Sequence, residues 1–557
     1  MKKLLSFLLC AVVLLPLEIC VVSAAANDIY IPGEVPKVFI TSSASPSTEY
    51  SACKVEIIDE KGGSFAAISD EGSKFKIRGN STSSGAKKPY NIKFSSKTDV
   101  LGMGKNKKWC LLANCYDKSL IRNQIVLDFA RSIGLRYTPQ YRVVEVYLNG
   151  KAQGCYLLID AIQASSSRVD IDTDGNEFIL ERDARTDEGT TYFTTSRYGV
   201  RLGINEPEEQ TPEQYKWLMN FMAAAETAIA SGDFKQVELY FDIPSMVDFY
   251  ITLEYFKNVD VDTGSTRFYI KDGKMYGGPC WDFDLSSGNC DYDYYWTYNN
   301  AGGSGDSAEG LWCNKLWYRP LLKYSEFSDA VKKRYLELQD RIVNLYADNR
   351  LGKGHVDSVV SEYGRVFNRN YSQAGWGIRT KYSGLEKAPA GSYSAEINYL
   401  KNWLKRRNEW MLSEYGLDTG IKIASGASCT LEGYIIRGIS EKTTVAELKK
   451  MFVGEGIYCI DESGERQADA AFAGNGSSLT RGGASYTVVL PGDVVSDGTV
   501  SVADYIFIKR WVVRSIDPSL MTELRFAASD VDSSREIDAV DYIIVKRHVI
   551  GNFKIKG

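Results

Sequence analysis

Histidine is almost missing: His355 and His548 are the only two in 557 residues. A Ser-His-Asp or Cys-His hydrolase needs an imidazole base, and a His-ligated zinc needs imidazole ligands, so both classes are nearly excluded. Acid–base work falls to carboxylates, lysine, tyrosine or water. No C-x-x-C pair occurs, and no Cys or His spacing of a metal site. The net charge is −5, without the basic excess that would draw nucleic acid or an anionic membrane. After residue 26 no apolar run is long enough to cross a bilayer, so neither nucleic acid nor a membrane is an expected partner.

What is present begins with an export signal. Lys2 and Lys3 precede an apolar run over residues 4–17, and Ser23-Ala24-Ala25-Ala26 gives a small-residue cleavage region. Residues 1–26 are therefore expected to be a signal peptide, and the mature protein secreted and extracellular. Export permits disulfides. Nine cysteines follow residue 26, an odd number, so at least one stays free or pairs between chains. Cys280, Cys290 and Cys313 are candidates for one bridge, with buried thiols as the alternative. Cys429 and Cys459 are another candidate pair.

The chain is organised around residues 258–289. Asp260 with Asp262, and Asp282 with Asp284, form two tight acidic groups. Between them residues 266–270 alternate, Lys271-Asp272-Gly273 signals a turn, and residues 274–276 restart a strand, which predicts a hairpin. A hairpin returns its ends to one edge, so both pairs are expected at one mouth. Clustered carboxylates repel unless a cation or proton compensates them, which points to a divalent metal with phosphate-type chemistry or to an acid/base pair.

Residues 27–416 read as one α+β domain. Strands are expected near 37–41, 52–59 and 178–183, and a hairpin over 141–159 turning at Asn149-Gly150. Helices are expected over 206–231, 243–257, 311–350 and, with one interruption, 373–414. Another is expected to start near Lys118 behind an Asp117 cap. The basic run at 403–407 reads as a helix face. Residues 292–307, rich in Tyr, Asn, Gly and Ser, read as a loop. Arg78, Lys87, Lys88 and Lys93 lie on or beside strands and have the chemistry to meet phosphate oxygens, or else form a solvated basic face.

Several of these pieces together resemble the CotH family of atypical protein kinases. They are Arg78-Gly79-Asn80-Ser81, the stretch from Lys87 to Lys93, and residues 109–123. Asn258-Val259-Asp260, Ser265 and Pro279-Cys280-Trp281-Asp282-Phe283-Asp284 complete the match. The resemblance implies a protein-kinase-like fold. Asp260 would be base or acceptor-positioner, with Asp282 or Asp284 on Mg²⁺ or Mn²⁺. Ser265 would stand where ordinary kinases place a metal-binding Asn, and Arg78, Lys87, Lys88 and Lys93 would be the ATP contacts. Asp160 stands where the family often has Glu, which puts a Lys–Glu clamp in doubt.

Residues 417–490 are Gly- and Thr-rich and strand-patterned, with one helix expected near 444–451: a small β-rich spacer module. Residues 491–557 hold an internal repeat of period 37. Asp493 matches Asp530, Asp497 matches Ser534, Asp504 matches Asp541, and Lys509-Arg510 matches Lys546-Arg547. Each unit is an acidic loop followed by a helix, with oxygen donors spaced as in an EF-hand-like calcium loop. The repeat closely resembles type I dockerin, which implies Ca²⁺ and the cohesin module of a scaffoldin as partner. Candidate ligands are Asp493, Asp497, Thr499, Ser501 and Asp504 in the first loop. In the second they are Asp530, Asp532, Ser534, Glu536, Asp538 and Asp541. Val495 replaces a donor in loop one, and Arg535 replaces the turn glycine in loop two.

The expected fold class is thus α+β with an atypical protein-kinase-like domain, then a small β-rich module and an all-α EF-hand-like dockerin. The expected function is Mg²⁺-dependent phosphoryl transfer from ATP to a protein Ser/Thr acceptor, on a secreted, cellulosome-associated chain. ATP is scarce outside cells, so transfer before or during export is one answer. A non-catalytic binding or structural cellulosome component is the alternative, and a carboxylate-type carbohydrate-active enzyme a third reading.

Overall fold

The computed structural model describes residues 34–555 apart from 60–67, 185–188, 292–304, 350, 418–420, 455 and 482–483. The expected signal peptide and nearly all of the expected 292–307 loop lie outside the described residues. Among the described residues no helix is long and apolar enough to cross a membrane.

Seven strands close into a barrel: β1 (Lys37–Thr41), β2 (Ser51–Ile58), β3 (Ile68–Ile77), β4 (Tyr90–Asp99), β5 (Lys105–Leu112), β6 (Tyr141–Leu148) and β7 (Lys151–Asp160). Their order is β1-β2-β3-β4-β5-β7-β6, and β1 pairs parallel with β6 to close the ring. Period-2 alternation drives this. Cys53, Val55 and Ile57 on β2, and Tyr90, Ile92 and Phe94 on β4, point inward and are buried. The β6–β7 turn is Asn149-Gly150, with φ of 49° and 76°, the double left-handed geometry of a two-residue hairpin turn.

A second, open sheet follows: β8 (Phe178–Arg182), β9 (Thr191–Thr194), β10 (Arg201–Glu206), β11 (Thr266–Lys271) and β12 (Lys274–Gly277), in the order β12-β11-β8-β10-β9. The hairpin expected between the acidic groups is β11–β12, turning at Asp272-Gly273 with φ of 50° and 73°. Helix Ile243–Phe256 packs against β12 and delivers the chain to Asn258.

Helix boundaries depart from expectation where long-range packing decides them. The helix expected from 206 starts at Pro212, behind a Thr211–Gln214 capping box, because Arg201–Glu206 is a strand. The helix expected from Lys118 starts at Arg122: Asp117 accepts from the Arg122 amide (2.8 Å) across an intervening turn. The 311–350 stretch breaks into Tyr318–Leu321, Ser325–Glu337 and Gln339–Tyr346. His355–Ser372 is a helix that the expected set lacks; Val356, Val359, Val366 and Phe367 give it a buried stripe at helical spacing. In 373–414, expected to be helical with one interruption, the irregular part takes up everything before the helix Tyr393–Glu414.

One large apolar core runs from Val35 to Met411. Smaller cores follow, one built mostly of residues 421–490 around a five-stranded sheet and one of residues 494–555 around two helices. The expected short helix is Val445–Lys450, capped by Thr444 and Glu447. All nine described cysteines are buried free thiols, so neither candidate disulfide forms. The basic run at 403–407 lies in helix Tyr393–Glu414, and Arg407 in it is fully buried and ion-paired with Glu254 (2.5 Å).

Candidate functional site

A cavity of about 420 Å³ opens between the barrel, the N-terminal end of helix Arg122–Ser132 and the second sheet. Asp260, Ser265, Asp282 and Asp284 all line it. Their meeting depends on one side chain. Helix Ile243–Phe256 stops at Lys257, which takes φ of 48°, and this turns Asn258 inward. Asn258 Oδ1 accepts from the Asp260 amide (2.8 Å), and its Nδ2 donates to the Asp282 carbonyl (3.1 Å). The two acidic segments, over twenty residues apart in sequence, are stapled by a single amide.

Further bonds fix the second segment. The Phe283 amide donates to Asn123 Oδ1 (2.7 Å), and Asn289 Nδ2 donates to the Asp284 carbonyl (2.7 Å). Ser265 Oγ donates to Asp282 Oδ2 (3.3 Å). Burial pushes the Asp284 carboxyl well above the usual carboxylate range, with Asp282, Asp117 and Asp260 adding to the push.

Asp262 leaves the group. The Thr263 and Gly264 amides both donate to the Asp260 carbonyl (2.9 Å each), so the chain turns. Asp262 then faces the other side and pairs with Arg182 (3.4 Å). The expectation that both acidic pairs share one mouth holds for Asp260 but not for Asp262.

Of the four expected phosphate contacts, only Arg78 lines the cavity. Gly79 beside it has φ of 86°, and a Cβ there would stand 2.1 Å from Thr82 Oγ1, so this bend requires glycine. The Arg78 and Arg267 guanidinium groups lie 5.3 and 5.4 Å from the Trp281 ring, and Arg267 also pairs with Glu181 (2.7 Å). Lys87 points elsewhere. It is buried, and its ammonium donates to the Ala113 carbonyl (2.8 Å), Asn370 Oδ1 (2.9 Å) and the Cys155 carbonyl. Burial lowers its pKa to about 8. Lys88 donates to the Ser83 carbonyl (2.8 Å). Lys93 is exposed on the outer face of the barrel, between Lys74 and Lys108 on the neighbouring strands. Asp160 pairs with Arg168 (3.2 Å), so it makes no lysine clamp.

Glu181, Asp183, Asn123 and Arg267 also line the cavity and were not among the expected site residues. Five carboxylates (Glu181, Asp183, Asp260, Asp282, Asp284) face two guanidinium groups (Arg78, Arg267) there. That donor set is oxygen-rich and anionic, which fits a hard divalent cation, and Arg78 is placed to meet an anionic group beside it.

The acidic loops lie before two matching helices, Val502–Val512 and Ala539–Val549. Asp530, Asp532 and Asp541 present ligand oxygens within 4.8 Å of one another; among the described residues this is the one such group of three. Asp493, Asp497 and Asp504 do not converge to that degree. Asp493 is buried and accepts from the amides of Asp497 (3.0 Å), Gly498 (2.9 Å) and, from the β-rich module, Asn475 (2.8 Å). Burial raises its pKa to about 6.

Thr499 Oγ1 is bonded to Asp497 (2.5 Å), and Ser534 Oγ donates to the Glu536 carbonyl (3.1 Å). Ser501 and Asp538 act as helix caps, accepting from the Ala503 and Val540 amides. The second loop fits a calcium ion. The first lacks a side-chain donor at Val495 and directs its leading carboxylate to backbone amides.

An α+β domain with a carboxylate-rich cavity, carrying a C-terminal pair of acidic-loop helices, is the class these observations define. The CotH kinase protein family model matches residues 75–411, more than half of the chain, and the chain belongs to that family. The dockerin type I domain model matches residues 491–550. No curated protein matches the chain. A type I dockerin implies a cohesin partner and a cellulosome-type assembly.

Proposed function

We propose that the CotH domain transfers the γ-phosphoryl group of ATP to a serine or threonine hydroxyl of a protein. We further propose that the chain is secreted and joins its assembly through a Ca²⁺-dependent dockerin–cohesin contact. The observation that carries the first reading is the Asn258 staple, which sets Asp260, Ser265 and Asp282 around one cavity with Arg78 on its wall.

In this reading Asp282 and Ser265 hold Mg²⁺ or Mn²⁺, which when bound supplies charge neutralisation on the phosphates. Arg78 binds phosphate oxygens as a fork. Asp260 orients the acceptor hydroxyl and takes its proton as the new O–P bond forms and the bond to the leaving ADP oxygen breaks. Asp284, whose carboxyl burial pushes well above the usual carboxylate range, lines the same cavity and would offer a further oxygen to the cation.

The test is transfer of labelled γ-phosphate from ATP to Ser- and Thr-containing acceptors with Mg²⁺ or Mn²⁺. The expected result is metal-dependent labelling that Asp260→Ala abolishes. If ATP with either metal neither binds nor stabilises the protein, the non-catalytic binding reading replaces this one.

A further inference from the structure

The two acidic loops repeat in sequence, but their surroundings differ. Asp493, which opens the first, is fully buried; its counterpart Asp530 is half-buried, and the second loop is exposed from Asp532 to Glu536. What covers the first loop is the β-rich module. The Asn475 amide donates to Asp493 Oδ2 (2.8 Å), and Asn475 Nδ2 donates to the Leu524 carbonyl (3.0 Å). The Lys442 amide donates to the Gly498 carbonyl (2.7 Å). In return the Val500 amide donates to Glu441 Oε2 (3.1 Å), and Glu441 Oε1 lies 3.3 Å from His548 Nε2. The two module segments are also tied to each other. The Ala473 amide donates to the Thr443 carbonyl (2.9 Å), and Phe472 pairs with Thr444.

Glycine stands on both sides of this contact. A Cβ on Gly474 would lie 2.6 Å from the Ser496 carbonyl oxygen and 2.8 Å from the Gly498 amide nitrogen. A Cβ on Gly498 would lie 2.5 Å from Phe472 Cβ. Backbone angle alone does not demand Gly498. Its counterpart Arg535 holds the same left-handed region, with φ of 72° against 79°, and is exposed. The first loop thus has glycine where the module reaches it, and the second, open to solvent, carries a long side chain at the same position.

A calcium ion takes six or more oxygens. In the first loop Val495 offers no side-chain donor. Asp493 Oδ2 already accepts from the Asn475 and Gly498 amides, and Oδ1 from the Asp497 amide. Amide donors can compensate a carboxylate in place of a cation. We propose that the first acidic loop is a docking joint rather than a calcium site: it binds residues 441–442 and 472–475 of the same chain, without metal. The module in turn packs on the main domain, where Val343 joins its core and the Tyr434 hydroxyl donates to Gln339 Oε1 (3.3 Å). The joint therefore holds the two repeat helices at a set attitude to the domain that carries the cavity. None of these contacts depends on phosphoryl transfer or on a bound partner.

The experiment is amide hydrogen exchange, read by mass spectrometry on the full chain, in chelator and again with calcium. Gly474→Ala is the wedge. Gly474 lies outside the left-handed region, so alanine suits its own backbone, and the added carbon meets the first loop. In the parent, residues 472–476 and 498–500 are expected to be protected in chelator and to stay protected with calcium. Gly474→Ala is expected to speed exchange there about tenfold or more under both conditions, with helix Ala539–Val549 and residues 75–411 as in the parent. Glu441→Ala removes the acceptor of the Val500 amide from the module side, and is expected to speed exchange at that amide likewise; it replaces Gly474→Ala if the latter does not fold. The proposal is overturned if these segments exchange freely in chelator, if calcium deprotects residues 472–476, or if either folded variant exchanges like the parent. An equal rise in helix Ala539–Val549 of Gly474→Ala means that the repeat unfolds rather than undocks, and overturns it too.

Discussion

Ser265 Oγ lies 3.3 Å from Asp282 Oδ2, and both residues hold left-handed backbone, with φ of 57° and 63°. Two non-glycine residues in that region within one contact indicate that the surrounding fold imposes the geometry. A prediction follows from the same angles. Asn adopts left-handed backbone readily and offers a carbonyl oxygen in place of a hydroxyl. Ser265→Asn is expected to fold and to tighten Mg²⁺ or Mn²⁺ binding, read by calorimetry with ATP present. Asp282→Asn keeps the shape but removes the charge, and is expected to weaken metal-dependent ATP binding by roughly tenfold or more. Unchanged metal affinity in both variants would place the ion elsewhere.

Lys87 gives a prediction about stability rather than ligand binding. Its ammonium serves three buried acceptors, from Ala113, Cys155 and Asn370. Lys87→Met takes the ammonium from all three, leaving Asn370 Oδ1 only the Cys155 amide (3.1 Å), and the expected loss is about 3–5 kcal/mol in denaturant unfolding. The pH dependence has a definite sign. Burial lowers the folded pKa from the ordinary 10.5 to about 8. Between those values the unfolded chain carries one proton more at this position than the folded chain. Unfolding free energy of the parent, minus that of Lys87→Met, therefore rises as pH goes from 8 to 10.5. A flat or falling difference would show that the ammonium is not buried as described.

Arg407 and Glu254 form a fully buried pair at 2.5 Å, and the Glu254 carboxylate also accepts from the Trp312 (2.9 and 3.0 Å) and Cys313 (2.5 Å) amides. This joins helix Tyr393–Glu414 to the helix that leads into Asn258. Removing one partner strands a buried charge. Arg407→Met is expected to cost about 3–5 kcal/mol, and the Arg407→Met/Glu254→Met double variant less than the two single losses added. Additive losses in a double-mutant cycle would mean the two side chains are not coupled.

The two acidic segments and the hairpin between them were legible because they are local. Turn residues, strand alternation and the Asp spacing all lie within about thirty residues of one another. What the local pattern could not supply was facing. Asp260 and Asp262 look equivalent in sequence, yet two amides bonded to the Asp260 carbonyl turn them to opposite sides. Lys87 and Lys93 look like one basic strand; only the barrel's closure sends the first inward and the second out to solvent. Asn123 reads as a polar helix residue until the fold brings the Phe283 amide to it. Helix His355–Ser372 carries its own apolar stripe in Val356, Val359, Val366 and Phe367, and that signal is local.

The acidic loops give the last prediction. In the second, Asp530, Asp532 and Asp541 converge, and Asp541 is held by the Val531 and Asp538 amides (2.9 Å each). In the first, Val495 offers no donor and Asp493 is engaged by three backbone amides. One calcium equivalent is therefore expected to bind well above the affinity of any other, read by calorimetry on the full chain. Asp532 is exposed, so without calcium Asp532→Ala is expected to leave the unfolding midpoint nearly unchanged. With calcium at about a hundred times its dissociation constant the parent gains about 2.7 kcal/mol by mass action, and the variant does not. The substitution thus matters only in the presence of the ion, which separates a lost ligand from a damaged fold. Asp497→Ala in the first loop is expected to leave the calcium-induced gain intact. If Asp497→Ala abolishes that gain and Asp532→Ala does not, the assignment of the two loops is reversed.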